Sequence, residues 1–354
     1  MRKNFLTLIF CLSIVNAAFS QKADTTIVLL KVLPNFTMSV MKWDEADYYR
    51  LILPPDTGDN RYNIKEFYKD RKLKRIGKAY AGASARNLMS GVLMYDGDCI
   101  SYFPSGITSS VSHYKNGDKD GLEDFFYPTG NIYCSMKYVK EGSTGSNIAL
   151  YWECYDAEGN ELCKKGNGKW ISYYDDFKTI KFEGKVVDGQ QDGEWPGTLI
   201  EPDTIKYTRK YNKGALVSST GYDKQGKAYP FENEQEKASY RIGEVIFLDI
   251  LRGHIKIPKD STGKKLSMDT AHVSFVVERD GHLDNFNMLG DVDPKLKEAV
   301  FAGLAKCHAW IPARVYGVPV RTRVIIPLGE TSGFTSNSYR KEIMYQEKIL
   351  KGDQ

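Results

Sequence analysis

The residues whose types and spacing could support chemistry are a few cysteines, histidines and paired carboxylates. Cys154 and Cys163 flank the turn Asp156-Ala157-Glu158-Gly159-Asn160 almost symmetrically. A hairpin through that turn could set them face to face, where two thiols oxidise outside the cytoplasm. A one-residue bulge would instead separate them. Buried thiols are the preferred expectation for Cys99, Cys134, Cys154, Cys163 and Cys307, with Cys154–Cys163 as the candidate disulfide. His272 and His282 flank one expected hairpin and could approach as a metal pair, but imidazoles that are solvent-facing or lightly buried are the plainer reading. Gly166-Asn167-Gly168-Lys169-Trp170 has a phosphate loop's glycines and lysine without its spacing or its following Ser or Thr, so it reads as a turn. Asp156 and Glu158 around Gly159 resemble a calcium loop only faintly. Glu232 with Glu234, and Asp175 with Asp176, fall in linker or turn contexts and read as solvated surface. The chain has no Gly-x-Ser-x-Gly elbow, His-Glu-x-x-His helix, Walker A loop or Cys-x-x-Cys pair. The expectation is therefore no catalytic residue, no metal and no cofactor: a binding protein rather than an enzyme.

Elements must position whatever binds. A chain of 354 residues suggests two or three domains. An aromatic share of 12%, rich in tyrosine, favours strands over a helical bundle. At the N-terminus, Arg2-Lys3-Asn4 precedes the mostly apolar run Phe5 to Ala18. Ala18 and Ser20 then stand at −3 and −1 before Gln21, the pattern of a cleaved secretory signal over 1–20. Without that segment the chain has 47 basic and 45 acidic residues, or +2. A balance so near neutral argues against a nucleic-acid partner. No later run is long and apolar enough to span a membrane, so no transmembrane segment is expected after cleavage.

From 91 to 229 the sequence repeats loosely. Tyr102-Phe103-Pro104-Ser105-Gly106-Ile107 returns as Phe126-Tyr127-Pro128-Thr129-Gly130-Asn131-Ile132, with glycines 24 residues apart. Asn116-Gly117-Asp118-Lys119-Asp120-Gly121 returns 72 residues later as Asp188-Gly189-Gln190-Gln191-Asp192-Gly193. Asn-Gly and Asp-Gly close tight hairpins, and the segments between them alternate at period two. The spacing predicts an antiparallel β-hairpin array, one hairpin per unit. These residues resemble MORN-type repeats, in particular their bacterial antitoxin-like variant, through the N/D-G-x-x-D-G turn and the aromatic-x-x-x-Gly motif. Residues 21–90 read as a β-rich lead-in, with strands at Thr26–Leu30 and Tyr48–Leu53. Residues 230–239 are polar enough for a linker.

Beyond the linker the period changes, and the fold class becomes mainly β with a C-terminal α+β domain. A helix is expected over 240–252, its stripe drawn from Ile242, Val245, Ile246, Leu248 (or Phe247) and Leu251 (or Ile250). Strands are expected at Ala271–Val277 and Leu283–Leu289, turned by Asp280-Gly281. A second helix starts at Asp293-Pro294 and runs to about Cys307, and a last strand covers Val320–Leu328. The order is helix, strand, strand, helix, strand. With Phe275-Val276-Val277-Glu278-Arg279-Asp280-Gly281, Trp310-Ile311-Pro312-Ala313, Gly317-Val318-Pro319-Val320 and Ile255-Lys256-Ile257-Pro258, residues 240–330 resemble the C-terminal domain of TonB energy transducers. That resemblance implies a periplasmic domain that pairs an edge strand with a short segment of an outer-membrane receptor. By position the edge would be Val320, Arg321, Thr322, Arg323, Val324, Ile325 and Ile326. Asp280, Gly281, Trp310, Pro312, Gly317 and Pro319 are expected to shape the fold rather than touch a ligand.

Residues 331–354 form a polar tail with a weak helical stripe between Ser338 and Leu350. The functional expectation is a Gram-negative protein of the periplasm or outer envelope that docks envelope proteins, outer-membrane receptors among them. The proline-rich arm of a transducer is absent and a repeat array stands in its place. Two alternatives stand beside this: a true transducer that keeps residues 5–19 as an anchor, and a peptidoglycan or glycan binder whose tyrosines stack on sugars.

Overall fold

A computed structural model describes residues 25–33, 36–81, 88–89, 93–140, 147–201, 203–268, 271–308, 310–329 and 348–349. The signal expected over 1–20 lies outside these residues, as does most of the expected tail helix. The described chain is mainly β, largely antiparallel hairpins, and forms two compact units, Met1–Ala149 and Leu150–Gln354.

In the first unit the strands are β1 (Thr26–Val32), β2 (Thr37–Val40), β3 (Tyr48–Leu53), β4 (Tyr62–Tyr68), β5 (Leu73–Tyr80), β6 (Met94–Tyr95), β7 (Gly97–Tyr102), β8 (Thr108–Lys115), β9 (Asp118–Phe126) and β10 (Ile132–Lys140). They pair antiparallel in the order β2-β1-β3-β4-β5-β7-β8-β9-β10, with β6 beside the end of β5. The lead-in and the first hairpins therefore share one sheet: β5 pairs with β7 across the boundary expected near residue 90. Alternation sends Leu30, Ile52 and Ile64 to one face, where they form a core with Ala79, Tyr95 and Cys99. Arg50 and Glu66 are buried among them. Two guanidinium nitrogens reach Glu66 Oε1 at 2.9 and 2.7 Å, and a third donates to the Leu88 carbonyl at 2.9 Å.

The second unit begins with the hairpin strands β11 (Asn147–Tyr155), β12 (Glu161–Lys164), β13 (Asn167–Tyr173), β14 (Ile180–Val187), β15 (Gln190–Leu199), β16 (Ile205–Asn212), β17 (Ala215–Tyr222) and β18 (Ala228–Pro230), each paired with the next. Two kinds of turn alternate. The pairs Lys165-Gly166, Asp188-Gly189 and Lys213-Gly214 both take positive φ, as a two-residue hairpin turn requires. At the opposite margin, longer turns close around Gly159 and Gly226. Each short turn bonds to the hairpin before it: Gly189 N–H donates to the Gly166 carbonyl, and Gly214 N–H to that of Gln191 at the start of β15, both at 2.8 Å. A side chain at Gly166 would put its Cβ 2.6 Å from the Gly189 nitrogen, so this approach needs glycine.

Aromatic rings pack on the glycines of these strands and on one another. Trp195 lies over Gly184 and Tyr207 over Gly197, each ring on a glycine of the preceding or same strand pair. Tyr151 links Trp170 and Trp195, with ring centroids 4.7 and 5.4 Å away.

The chain continues through β19 (Gln235–Glu236), β20 (Ser239–Tyr240), α1 (Glu244–His254), β21 (His272–Val277), β22 (Leu283–Leu289), α2 (Pro294–Leu304), β23 (Trp310–Ile311), β24 (Arg314–Val315), β25 (Val318–Pro319), β26 (Thr322–Pro327) and β27 (Lys348–Ile349). Within 230–239, Pro230, Gln235, Glu236 and Ser239 are paired in strands. Gln235, Glu236, Ser239 and Tyr240 oppose Val315, Arg314, Ile311 and Trp310 in one common register. The register is interrupted opposite Pro312, which has no N–H to give. Helix α1 starts later than expected, after Gly243 at φ +100°. Ile242 and Ile246 are consequently exposed, and Phe247, Leu248 and Leu251 form the buried stripe. Helix α2 is capped by Asp293, whose carboxylate accepts the Lys295 N–H at 2.8 Å, with Pro294 in its first turn. Lys348 and Ile349, within the span expected to be helical, are strand.

Candidate functional site

Strands β22, β21, β26 and β27 form one sheet in that order. Val273, Phe275 and Val277 of β21 join Val324 and Ile326 of β26 on one face, under Phe247, Leu251, Val300 and Leu304 of the helices. Period-two alternation makes this face apolar and fixes the register of β26. Val273 opposes Ile326, and Val277 opposes Thr322.

In an antiparallel ladder, successive residues turn their backbone groups alternately toward and away from a given neighbour. Leu328 N–H donates to the Ala271 carbonyl at 2.8 Å, in the same register. Alternation then points Ile326 and Val324 toward β21, and Ile325 and Arg323 outward. Among the described residues, what lies on that outward side is β27, which opposes Arg323 with Lys348 and Thr322 with Ile349. The chain's own tail thus pairs with the first two residues of this margin.

Of the seven residues expected as an edge, Thr322 to Ile326 lie in β26. Val320 and Arg321 precede it. Val320 N–H donates to the Ala313 carbonyl at 2.9 Å, and Arg321 Nε bonds both Glu278 carboxylate oxygens at 2.9 Å. The first bond ties the Val320 backbone to Ala313 instead, and the second holds the Arg321 side chain against the end of β21. Thr322 is fully buried, and its hydroxyl finds no hydrogen-bond partner among the described residues. Arg323 leans back on Ser274, 3.3 Å from its hydroxyl.

The motif residues cluster around two glycines. Gly281 has φ +89°, and a Cβ there would overlap the Trp310 carbonyl oxygen. Trp310 packs edge-on against Phe275 and Phe247, with centroids 5.3 and 4.9 Å away. Asp280 accepts the His282 N–H at 3.1 Å and its ring Nδ1 at 2.5 Å. The backbone bond first, then the ring, holds the Asp280 carboxyl below its ordinary pKa. His272 opposes Leu289 at the far end of the same hairpin, so the two histidines stand roughly 17–20 Å apart along the strands. They form no pair.

Gly317 closes a two-residue hairpin between β24 and β25, where Tyr316 has φ 48° and Gly317 has φ 77°. A Cβ on Gly317 would come within 2.9 and 3.0 Å of the Tyr229 and Pro230 carbonyls. The Tyr316 carbonyl rests against Gly221 of β17, and the Tyr316 ring stacks on Tyr207 at 4.3 Å and 12°. Arg209 lies near both rings and pairs with Glu234. The last repeats clasp this hairpin tip. The residues of this contact, Tyr207, Arg209, Gly221 and Tyr316, were not singled out from the sequence. Its legible signal was Tyr316-Gly317 between Val315 and Val318, a short-turn pattern.

Beside the clasp lies a groove of about 410 Å³ lined by Asp203, Asp223, Lys224, Arg279, Asp280 and Val320, among others. Several of its charged groups are occupied locally. Asp203 meets Arg279 at 3.4 Å, and Asp223 accepts the Tyr229 hydroxyl at 3.0 Å. Cys99, Cys134, Cys154, Cys163 and Cys307 are all buried thiols. Among the described residues, no group of three or more His, Cys, Asp or Glu side chains could hold a metal. A comparison with protein families found no match, and neither did one with curated proteins.

Proposed function

We propose that this chain is a non-enzymatic protein of the Gram-negative envelope, exported by its N-terminal segment. In this reading a TonB-like C-terminal body docks envelope partners by β-strand addition, and the hairpin repeats serve as its scaffold. Outer-membrane transport proteins are the partners the resemblance implies. The observation that carries the reading is the outward margin of β26. It is backed by a packed core and paired, among the described residues, only at Thr322 and Arg323.

An extended partner segment lying antiparallel to β26 would take the outward N–H and C=O of Ile325. It would then displace Lys348 and Ile349 or continue past them. Backbone bonds would supply the affinity, and alternate side chains the choice of partner. A two-residue cis pairing is short enough for a longer segment to replace it. Sugar stacking by the repeats draws less support, because Trp170, Trp195 and Tyr207 are 4%, 2% and 6% exposed.

The test is capture of solubilised outer-membrane proteins by the full chain, with cross-links mapped to residues. Cross-links from a single extended segment to residues 322–327 are expected. Ile325→Pro should abolish them while circular dichroism stays unchanged. Undiminished capture by a folded Ile325→Pro protein defeats the reading. The intact mass of the exported protein separates it from the anchored transducer, which would retain residues 5–19.

A further inference from the structure

Cys154 and Cys163 are Cα partners in the β11–β12 hairpin, and its bulge falls one residue further along, between Cys154 and Tyr155. The bulge therefore does not separate them. Directly opposed residues of an antiparallel pair lie about 4.5–5.5 Å apart at Cα and project to the same face. A disulfide spans roughly 4.4–6.8 Å between Cα atoms, so the register alone meets its reach. The two thiols are 0% and 1% exposed. Each rests near a backbone carbonyl, Cys154 Sγ 3.9 Å from that of Ile171 and Cys163 Sγ 3.7 Å from that of Trp152. Burial pushes both up to about 11, and the neighbouring Cys154 adds to the rise at Cys163. Across β7–β8 Cys99 faces Ser112, across β9–β10 Cys134 faces Phe125, and Cys307 lies just beyond α2 with its Sγ 3.5 Å from the Gly303 carbonyl.

We propose that Cys154 and Cys163 are a disulfide-forming pair, closed while the hairpin folds in an oxidising compartment. The oxidant is a disulfide, either oxidised glutathione or an oxidase's active-site disulfide. One cysteine, as thiolate, attacks a sulfur of that disulfide, forming a mixed disulfide and releasing one oxidant thiol. The second cysteine then attacks the sulfur of the first. The Cys154–Cys163 bond forms, and the oxidant's other thiol leaves. Two electrons and two protons pass from the pair to the oxidant. In the finished fold the thiols are covered and their thiolates disfavoured, so the bond closes before the neighbouring strands pack. It staples the first hairpin of the second unit and is independent of the docking margin.

The full chain is refolded from denaturant in oxidised and reduced glutathione, then unfolded and alkylated without reduction. Trypsin cuts after Lys140 and Lys164, so both cysteines fall in the peptide of residues 141–164. That peptide is expected unalkylated and lighter than the dithiol by two hydrogen atoms, becoming doubly alkylated after reduction. Cys99, Cys134 and Cys307 are alkylated throughout. In Cys154→Ser, Cys163 becomes alkylated, and the converse holds for Cys163→Ser. Labelling is read on unfolded chains, so a folding defect in a variant does not obscure it. Alkylation of both cysteines in the refolded wild type, or a bond from either to a different cysteine, overturns the proposal.

Discussion

At the scale of residues, glycines and buried charges carry most of the specificity. Gly281 and Gly263 share a left-handed φ, +89° and +85°, but a Cβ would meet the Trp310 carbonyl at Gly281 and nothing within 4 Å at Gly263. Left-handed backbone alone costs alanine about 1–2 kcal/mol. Displacing a packed carbonyl should add about 1–3 kcal/mol. Gly281→Ala is therefore expected to lower Tm more than Gly263→Ala, and equal falls would mean that the carbonyl yields freely. In the first unit, Glu66→Met strands Arg50 in the core and should cost about 3–5 kcal/mol in urea unfolding, most of it recovered by adding Arg50→Met. Several turn aspartates bind nearby donors. The Thr179 hydroxyl, then the Lys178 and Thr179 N–H groups, hold Asp176 below its ordinary pKa, and the Thr262 hydroxyl holds Asp260 down despite partial desolvation. A depressed carboxylate adds stability above its unfolded pKa, near 4, and loses it as pH falls through the folded value. Stability should thus decline below about pH 4, and Asp176→Asn should make that decline shallower.

At the scale of elements, apolar runs, alternation and turn residues made many strands readable before any contact was known. Strands β1, β3, β21 and β22 fall where apolar runs, alternation and the Asp280-Gly281 turn put them, and α2 begins at the cap that Asp293-Pro294 announced. Asp293→Ala should cost about 1 kcal/mol, measured by thermal unfolding. Less legible was the start of β26. Val320 and Arg321 are as β-prone as their neighbours, yet Val320 gives its N–H to Ala313 and Arg321 is held by its side chain to Glu278. Such bonds join positions far apart in the chain, and local propensity carries no trace of them. The pairing of Lys348 with Arg323 escaped for the same reason. Deleting residues 331–354 should raise amide exchange at Arg323, whose backbone turns toward β27. Unchanged exchange there would show that β27 does not protect that margin.

At the scale of the whole molecule, the second unit joins its repeats to its α+β part through the Tyr316-Gly317 tip. Gly221→Val would push against the Tyr316 carbonyl from below. Calorimetry should then resolve two transitions for the second unit where one is expected in the wild type, and hydrogen exchange at Gln235 to Tyr240 should rise. A single shifted transition would mean that the clasp contributes little to cooperativity. The polar stretch 230–239 looked like a tether because Glu and Gln dominate it, but backbone pairing is indifferent to side-chain polarity, and Gln235 and Glu236 pair with β24 regardless.

The amino-acid sequence by itself determined the β-rich class, the hairpin turns and the order of the C-terminal elements. Each of these follows from periodicity and turn chemistry within a few neighbouring residues. Only the tertiary structure decided which residues of β26 turn their backbone away from β21, that the two cysteines oppose each other, and that the repeats grip the C-terminal part. These depend on register between segments distant in sequence, and one residue of slip would reverse every facing side chain.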